Sequence, residues 1–376
     1  MTLGRREVML AGLGAGLTAA VGPRMAQARD DVGAQDAFST YGVKPADGAI
    51  SQTATLQDAA DAAARTGTPL FLPAGSYSTA RLTLKSGTHI HGVPGLTILR
   101  YITGGAILET EGTDNVRLAG LVLDGGGASL GENGALLKAT ETTHLDVSDC
   151  RFMDSSEDGV VLRKASGRIA DCEFGDIAHA ALFSEDASGL EISHNHVHDC
   201  GDNGILVWRS EIGEDATIVS GNRIERIAAN SGGSGQNGNG VNIFRAGSVM
   251  VTQNRIADCA FSAIRSNAGS NCQMVANSCT RLGEVALYAE YGFEGAVIAN
   301  NIVDTAAMGI SVTNFNEGGR LAVVQGNIVR NLFLRKTARS AASASASRPI
   351  QWSTAISSRA RRPTAFSSAG ATICAT

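Results

Sequence analysis

One short pattern, apolar-x-x-(Asn or Cys)-x-apolar, returns through this chain and constrains its fold more than any other feature. It reads Val147-Ser-Asp-Cys150-Arg-Phe152, Ile169-Ala-Asp-Cys172-Glu-Phe174, Ile192-Ser-His-Asn195-His-Val197 and Val219-Ser-Gly-Asn222-Arg-Ile224. It continues around Asn254, Asn277, Asn301 and Asn327, and successive Asn or Cys positions stand 22, 23, 27, 32, 23, 24 and 26 residues apart. A second signal, Gly or Ala followed by apolar-x-apolar, comes after each, as at Gly159-Val160, Gly204-Ile205, Gly240-Val241, Ala263-Ile264 and Gly309-Ile310. Self-similarity at this period marks a solenoid. Period-2 alternation and Gly/Asn punctuation exclude helical repeats.

Each repeat therefore holds two or three strands too short to bury a face alone. Stacked about 4.8 Å apart, they hydrogen-bond coil to coil and enclose one continuous core. The expected fold is all-β, a single-stranded right-handed parallel β-helix, and it resembles the pectin-lyase-like solenoids. The column Asn195, Asn222, Asn254, Asn277, Asn301, Asn327 is expected to form a buried amide ladder with a structural role only. Cys150 and Cys172 extend that column and are expected to be buried free thiols, not a bridge.

Ahead of the repeats, Tyr41-Gly42, Asp47-Gly48, Leu56-Gln57-Asp58-Ala59-Ala60-Asp61-Ala62-Ala63 and Leu70-Phe71-Leu72-Pro73-Ala74-Gly75-Ser76-Tyr77 follow in order. This resembles the N-terminal module of pectate-lyase-like proteins, where a short capping helix precedes a strand and a Leu-Pro-x-Gly-x-Tyr turn. Ser51 or Thr53 is the expected N-cap, and the helix is expected to end near Gly67. Such a helix covers the open edge of the first coil. The expected organisation is a signal peptide over 1–28, a cap module over 38–100, coils over 101–334 and a non-repeat tail over 335–376. As a whole the chain resembles Tat-exported repetitive β-helix proteins. That resemblance, over residues 38–334, speaks to fold and not to activity.

Arg5-Arg6 opens a segment whose apolar stretch, Val8 to Val21, is too short to span a bilayer, and Ala26-Gln27-Ala28 supplies a small-x-small cleavage site. This resembles the twin-arginine class, so the expectation is twin-arginine export, with the Tat machinery as partner and a periplasmic or secreted product; a general secretory signal is the alternative. Without the +2 of residues 1–28 and the five arginines of 337–376, the body carries about −12. Nucleic acid and anionic membrane are poor partners for that charge.

Residues at equal offsets from the ladder stack above one another, so outward positions can be read in columns. After the Gly/Ala corner the first column runs Val161, Leu182, Leu206, Asn242, Arg265, Tyr288. The next runs Arg163, Ser184, Trp208, Phe244, Asn267, Glu290. With Arg209, Arg245 and Tyr291 beside them, Trp208, Asn242, Phe244 and Glu290 form an expected glycan-binding face. Aromatic rings offer planes to sugar CH groups, and Arg or carboxylate groups bind hydroxyls and uronates. The glycine-rich insertion Asn230–Gly240 borders this face.

A uronate lyase or C5-epimerase needs a cation, a base and an acid. Arg265 is the expected neutraliser and Tyr288 the acid or base, both exposed, with His179 or Asp158 as second group. The chain lacks the Asp-Pro-His-Asp cluster typical of alginate epimerases and an evident aspartate pair for two-carboxylate hydrolysis. The expected partner is a polysaccharide or oligosaccharide, acted on or only bound. A non-catalytic glycan-binding or envelope structural role stays open beside catalysis.

A rival site lies at His194, His196 and His198, flanked in neighbouring repeats by Asp171, Glu173 and Glu225. This set can ligate a divalent ion such as Zn²⁺. His196 and His198 alone are not expected to hold one tightly. The repeat grammar stops after Lys336, and the remaining 40 residues contain no acid. An Ala-Ser run over 342–347 is what Gly-Ile codons become when read out of phase. A shifted reading frame, giving a truncated and inactive product, is therefore expected, with a genuine disordered Ser/Ala-rich tail as the alternative.

Overall fold

The computed structural model describes residues 35–45 and 50–333, together with Ile356–Ser357 and Ala371–Ile373. The expected signal peptide lies outside the described residues, as does most of the expected tail. The described chain is a parallel β-solenoid of about 11 turns with a short helix near its N-terminus. Three columns of strands, one per face, run its length.

The helix spans Thr53–Thr66 and is rich in alanine, the residue that loses least on entering a helix. Leu56, Ala59, Ala60, Ala62 and Ala63 form its buried stripe, and Gly67 closes it in the left-handed conformation. Its N-cap is Gln52, whose side chain makes no capping bond; the Ser51 hydroxyl instead accepts from Thr53 N–H at 3.4 Å. Thr53 Oγ1 accepts from Ala80 N–H at 2.8 Å, so that hydroxyl secures the first coil. The Gln57 amide takes both backbone groups of Thr83, donating to its carbonyl at 2.8 Å and accepting from its N–H at 2.9 Å. A side chain thus satisfies an edge that otherwise presents open strand groups.

Stacking begins earlier than the expected start at residue 101. Gly75–Thr79 already pairs in parallel with Thr97–Tyr101, and Leu82–Leu84 with Leu108–Glu111. Tyr77 is buried here and donates its hydroxyl to the Pro73 carbonyl at 2.8 Å.

Each face contributes inward residues from every coil to a common core. On the first face these include Val147, Ile169, Ile192, Val219 and Val251; on the third, Val160, Leu182, Ile205, Val241 and Ile264. On the second face Phe152 and Phe174 stack with centroids 4.8 Å apart, one coil rise. All are buried.

Between the first and second faces the chain turns sharply at a residue with positive φ: Asp149, Asp171, His194, Gly221, Gln253, Ala276, Asn300 and Gly326. Asp, Asn, His and Gly tolerate that conformation best, and they fill six of these eight positions. The next residue is the ladder position. Each Nδ2 donates to the Oδ1 one coil on: Asn195 to Asn222 at 3.0 Å, Asn222 to Asn254 at 2.9 Å, Asn254 to Asn277 at 3.0 Å. Asn277 to Asn301 at 3.0 Å and Asn301 to Asn327 at 2.9 Å complete it. Cys150 and Cys172 continue the column as free thiols. At the far end Ile356–Ser357 pairs antiparallel with Val323–Val324, and Ala371–Ile373 with Ile310–Val312.

Candidate functional site

The third face carries most of the expected glycan-binding residues, with one correction of register. Val161 pairs with Phe183, not Leu182, and Arg163 with Glu185, not Ser184. The Gly/Ala corner of that coil is Ala181, so Leu182 and Ser184 point inward and are buried. The correction brings a third aromatic into place. Phe183 meets Trp208 edge-on at 5.3 Å, and Trp208 meets Phe244 at 5.4 Å. All three rings are half-buried and project from adjacent coils as one wall.

Arg245 rides over Phe244 at 4.7 Å, its guanidinium donating to the Ser210 carbonyl at 2.6 Å. Arg209 donates to the Ala187 carbonyl at 3.2 Å, and Tyr291 is exposed further along. Asn242, expected to bind substrate, is buried and donates to the Gln236 carbonyl at 3.1 Å. It belongs to the anchorage of the 230–240 insertion. That loop is also held by buried Asp202, which accepts from Ser231 N–H at 2.8 Å and Ser231 Oγ at 2.7 Å.

Arg265 and Tyr288 are neighbours on adjacent coils, with the guanidinium 5.1 Å from the ring centroid. Neither is exposed as expected: Tyr288 is half-buried, and Arg265 is more enclosed still. Arg265 donates from Nε to Glu290 at 2.6 Å and has Glu284 at 3.6 Å; its side chain is 12% exposed and that of Glu290 only 3%. The backbone of Gly235 lies on the guanidinium so closely that no other residue fits without displacing it. Arg265 and Glu290 thus form an enclosed pair under the loop, and neither is available as expected. Burial, then the nearby Glu290 charge, raises the Tyr288 pKa.

His179 and Asp158 do not join this pair. Successive registers place them three and four coils from Arg265, roughly 14 and 19 Å at a coil rise of about 4.8 Å. Asp158 is a separate centre. Burial pushes its carboxyl up to about 6, although it accepts from Ala180 N–H at 2.9 Å. His179 Nδ1 stands 3.3 Å from Glu157.

The second face carries the histidines. His196 follows Glu173 in one outward column, and Glu225 follows His198 in the next. His194 departs from expectation: it occupies the positive-φ corner and its ring packs against Gly221. Glu173 replaces it, since ligating atoms of Glu173, His196 and His198 all lie within 4.8 Å of one another. His198 is also less open than expected, its side chain 14% exposed against 41% for His196. Charged groups surround the three. Arg226 grips Asp199 at 2.8 and 2.9 Å, which with the His198 bond holds that carboxyl down to about 2. Burial pushes Glu225 upward, but Arg223, Arg226 and His196 bring it to about 2. Beside them opens a cavity of about 380 Å³ lined by Asp149, Arg151, Asp171, Glu173, His194 and His196. There burial and then Asp171 raise the Asp149 pKa.

Residues 133–318 match the family model described as a right handed beta helix region. The solenoid is a right-handed parallel β-helix. Its fold is similar to the A-module of mannuronan C-5 epimerase AlgE6 from Azotobacter vinelandii. That likeness has 16% identity and a TM-score of 0.55, over 79% of this chain and 99% of the module. Tailspike protein 2 of Escherichia coli O157:H7 bacteriophage CAB120 is similar at 15% identity and TM-score 0.52, over 77% of this chain and 40% of the tailspike. Bacteriophage phi29 gene product 12 is similar at 15% identity and TM-score 0.53, over 78% of this chain and 49% of that one. The β-helix thus spans less than half of either phage protein. No curated protein matches its sequence. At these identities the likenesses speak to fold.

Three features of the β-helix escaped the column reading. Phe183 was hidden by a one-residue misplacement of a corner, which counting a constant eleven residues from the ladder would have avoided. Asp199 occupies the second positive-φ corner, outside the strand alternation. The Arg265–Glu290 pair has no sequence signature, because stacking brings the two together while only the loop covers them.

Proposed function

We propose that this β-helix is an exported polysaccharide-binding protein that holds a glycan chain across its third face. The Phe183–Trp208–Phe244 wall carries this reading, since three rings from adjacent coils, in edge-on and tilted contact, give a half-buried apolar surface against which sugar CH faces can pack. Arg245 at its margin, and exposed Tyr291 two coils further along, supply donors for hydroxyl or carboxylate groups. The A-module of similar fold is named for action on mannuronan, which agrees with a glycan partner. Export by the twin-arginine route to the periplasm or beyond rests on Arg5-Arg6 and Ala26-Gln27-Ala28.

A second reading, lyase or C5-epimerase-like chemistry on uronate glycans, draws on one observation. Asp158, held up to about 6 beside His179, is poised to exchange a proton near neutral pH. Arg265 offers that reaction little, because Glu290 already neutralises it.

Affinity electrophoresis against neutral and uronate polymers tests the first reading. Trp208→Ala is expected to weaken binding of at least one polymer 10-fold or more, while Ile212→Ala, exposed where the same strand bulges beyond Trp208, leaves it unchanged. Equal binding by wild type and Trp208→Ala would remove the wall from the argument. Unsaturated product formed by wild type, and lost in Asp158→Asn, would establish the second reading.

A further inference from the structure

We propose that Glu173, His196 and His198 bind one divalent transition-metal ion of the zinc class, with Asp199 holding His198 in the ligating tautomer. Parallel stacking places Glu173 and His196 directly above one another, and strand alternation sends His198 out on the same side as His196. His198 Nε2 stands 3.4 Å from Glu173 Oε1, long for a strong hydrogen bond. It suits two ligands of one tetrahedral ion, which at bond lengths of about 2.0–2.1 Å stand roughly 3.3 Å apart.

The imidazole of His198 is fixed from both sides. Asp199 Oδ2 accepts from Nδ1 at 2.7 Å, which leaves the Nε2 lone pair facing Glu173. Asp199 is in turn oriented by the Arg226 fork. Beneath the ring lies Gly175, where a Cβ would stand 2.5 Å from Cε1 and 3.0 Å from Nε2. The ring occupies space that only glycine leaves. Glu173 is positioned likewise: Arg151 Nε takes Oε2 at 3.0 Å, and Oε1 is left to ligate.

Three protein ligands with two imidazoles and one carboxylate suit Zn²⁺, and the arrangement leaves a fourth position. Glu173 and His196 line the polar cavity, so that position opens toward Asp149 and Asp171. His194 lines the cavity but takes no part in ligation.

Calorimetric titration of the chelator-treated full chain with Zn²⁺ at pH 7.5 tests the site, with Co²⁺ absorption reporting the ligand field. The expected result is one equivalent bound. Affinity should fall at least 100-fold in His198→Ala and Glu173→Gln, and about 10–100-fold in Asp199→Asn. Gly175→Ala should act like His198→Ala, because it displaces the ring. His194→Ala should bind as wild type. Thermal melting of each apo variant separates loss of ligation from loss of fold. The proposal is overturned if wild type takes up no stoichiometric Zn²⁺. It is equally overturned if folded His198→Ala and Glu173→Gln bind as wild type does.

Discussion

Arg265 Nε donates to Glu290 Oε1 at 2.6 Å, and the Glu290 carboxylate is almost wholly enclosed. A guanidinium so placed has its charge balanced within the protein. Asn267 also donates to the same oxygen, at 3.2 Å. Removing one partner strands the other charge, and that loss exceeds the net worth of the pair. Glu290→Gln should therefore destabilise the protein by about 3 kcal/mol in urea denaturation. The double variant Arg265→Met, Glu290→Leu should recover most of that loss. A double variant as unstable as Glu290→Gln would show that the pair is worth more than its packing.

The amide ladder should show a gradient of importance along its length. Asn254 accepts from Asn222 N–H and Nδ2 at 2.9 Å each, and donates to Asn277 and to the Val219 carbonyl at 3.0 Å. Asn254→Ala leaves buried donors and acceptors unmet on both neighbours, at a cost of about 2–4 kcal/mol. Asn327 is the last rung among the described residues, accepting from Asn301 N–H and Nδ2 and donating to the Ile298 carbonyl. Asn327→Ala loses three such bonds against four and disturbs one neighbouring rung instead of two, so it should cost less. Chemical denaturation of the two variants checks the ordering, and equal losses would contradict it.

Asp158 gives a pH dependence whose sign follows from its environment. Its carboxyl titrates at about 6 in the fold, above the ordinary 3.8, chiefly because burial penalises the anion. The folded state therefore binds the proton more tightly than the unfolded chain. The resulting stability is full below pH about 4 and is lost as pH rises through about 6. Other carboxylates shift in both directions, Asp149 up and Asp199 down, so the difference between wild type and Asp158→Asn isolates the effect. Asn keeps an acceptor for Ala180 N–H and carries no charge. Relative to wild type, Asp158→Asn should gain on the order of 1–2 kcal/mol between pH 4 and pH 7.5. A constant difference across that range would contradict the assignment.

The cysteines should behave as core residues. Cys150, Cys172, Cys200, Cys259, Cys272 and Cys279 are buried and unbridged. Burial pushes Cys279 up to about 12, so thiolate is scarce at neutral pH. Peptide mapping after alkylation should find these six unlabelled in the native protein and labelled in urea without reductant. A disulfide between Cys150 and Cys172 in the mapped peptides would be the contrary result.

The solenoid was legible because its physics is local and repeated. A residue that turns the chain and an amide that satisfies the turn recur every coil, so their spacing in sequence is their spacing in space. Asn195 to Asn327 and the inward apolar columns could be read this way, while the helix ending at Gly67 was legible from its alanine-rich stripe and its closing glycine. The neighbour relations Glu173–His196, His198–Glu225 and Arg265–Tyr288 follow from the same counting.

What one coil does to a distant coil, and what an insertion covers, lay beyond that counting. The alternation that places Arg265 outward says nothing of the 230–240 loop, whose anchorage on Asp202 closes over the guanidinium and turns an exposed cation into an enclosed pair. His179 and Asp158 share a corner column with residues near Arg265, yet the number of coils between them separates the chemistry. His194, His196 and His198 are equally near in sequence. Only the tertiary turn, with His194 in the left-handed conformation and Gly175 open beneath His198, decides which of them Glu173 can join. Sequence period determined the stack; side-chain direction at corners and loop closure, which depend on non-repeating contacts, decided the sites.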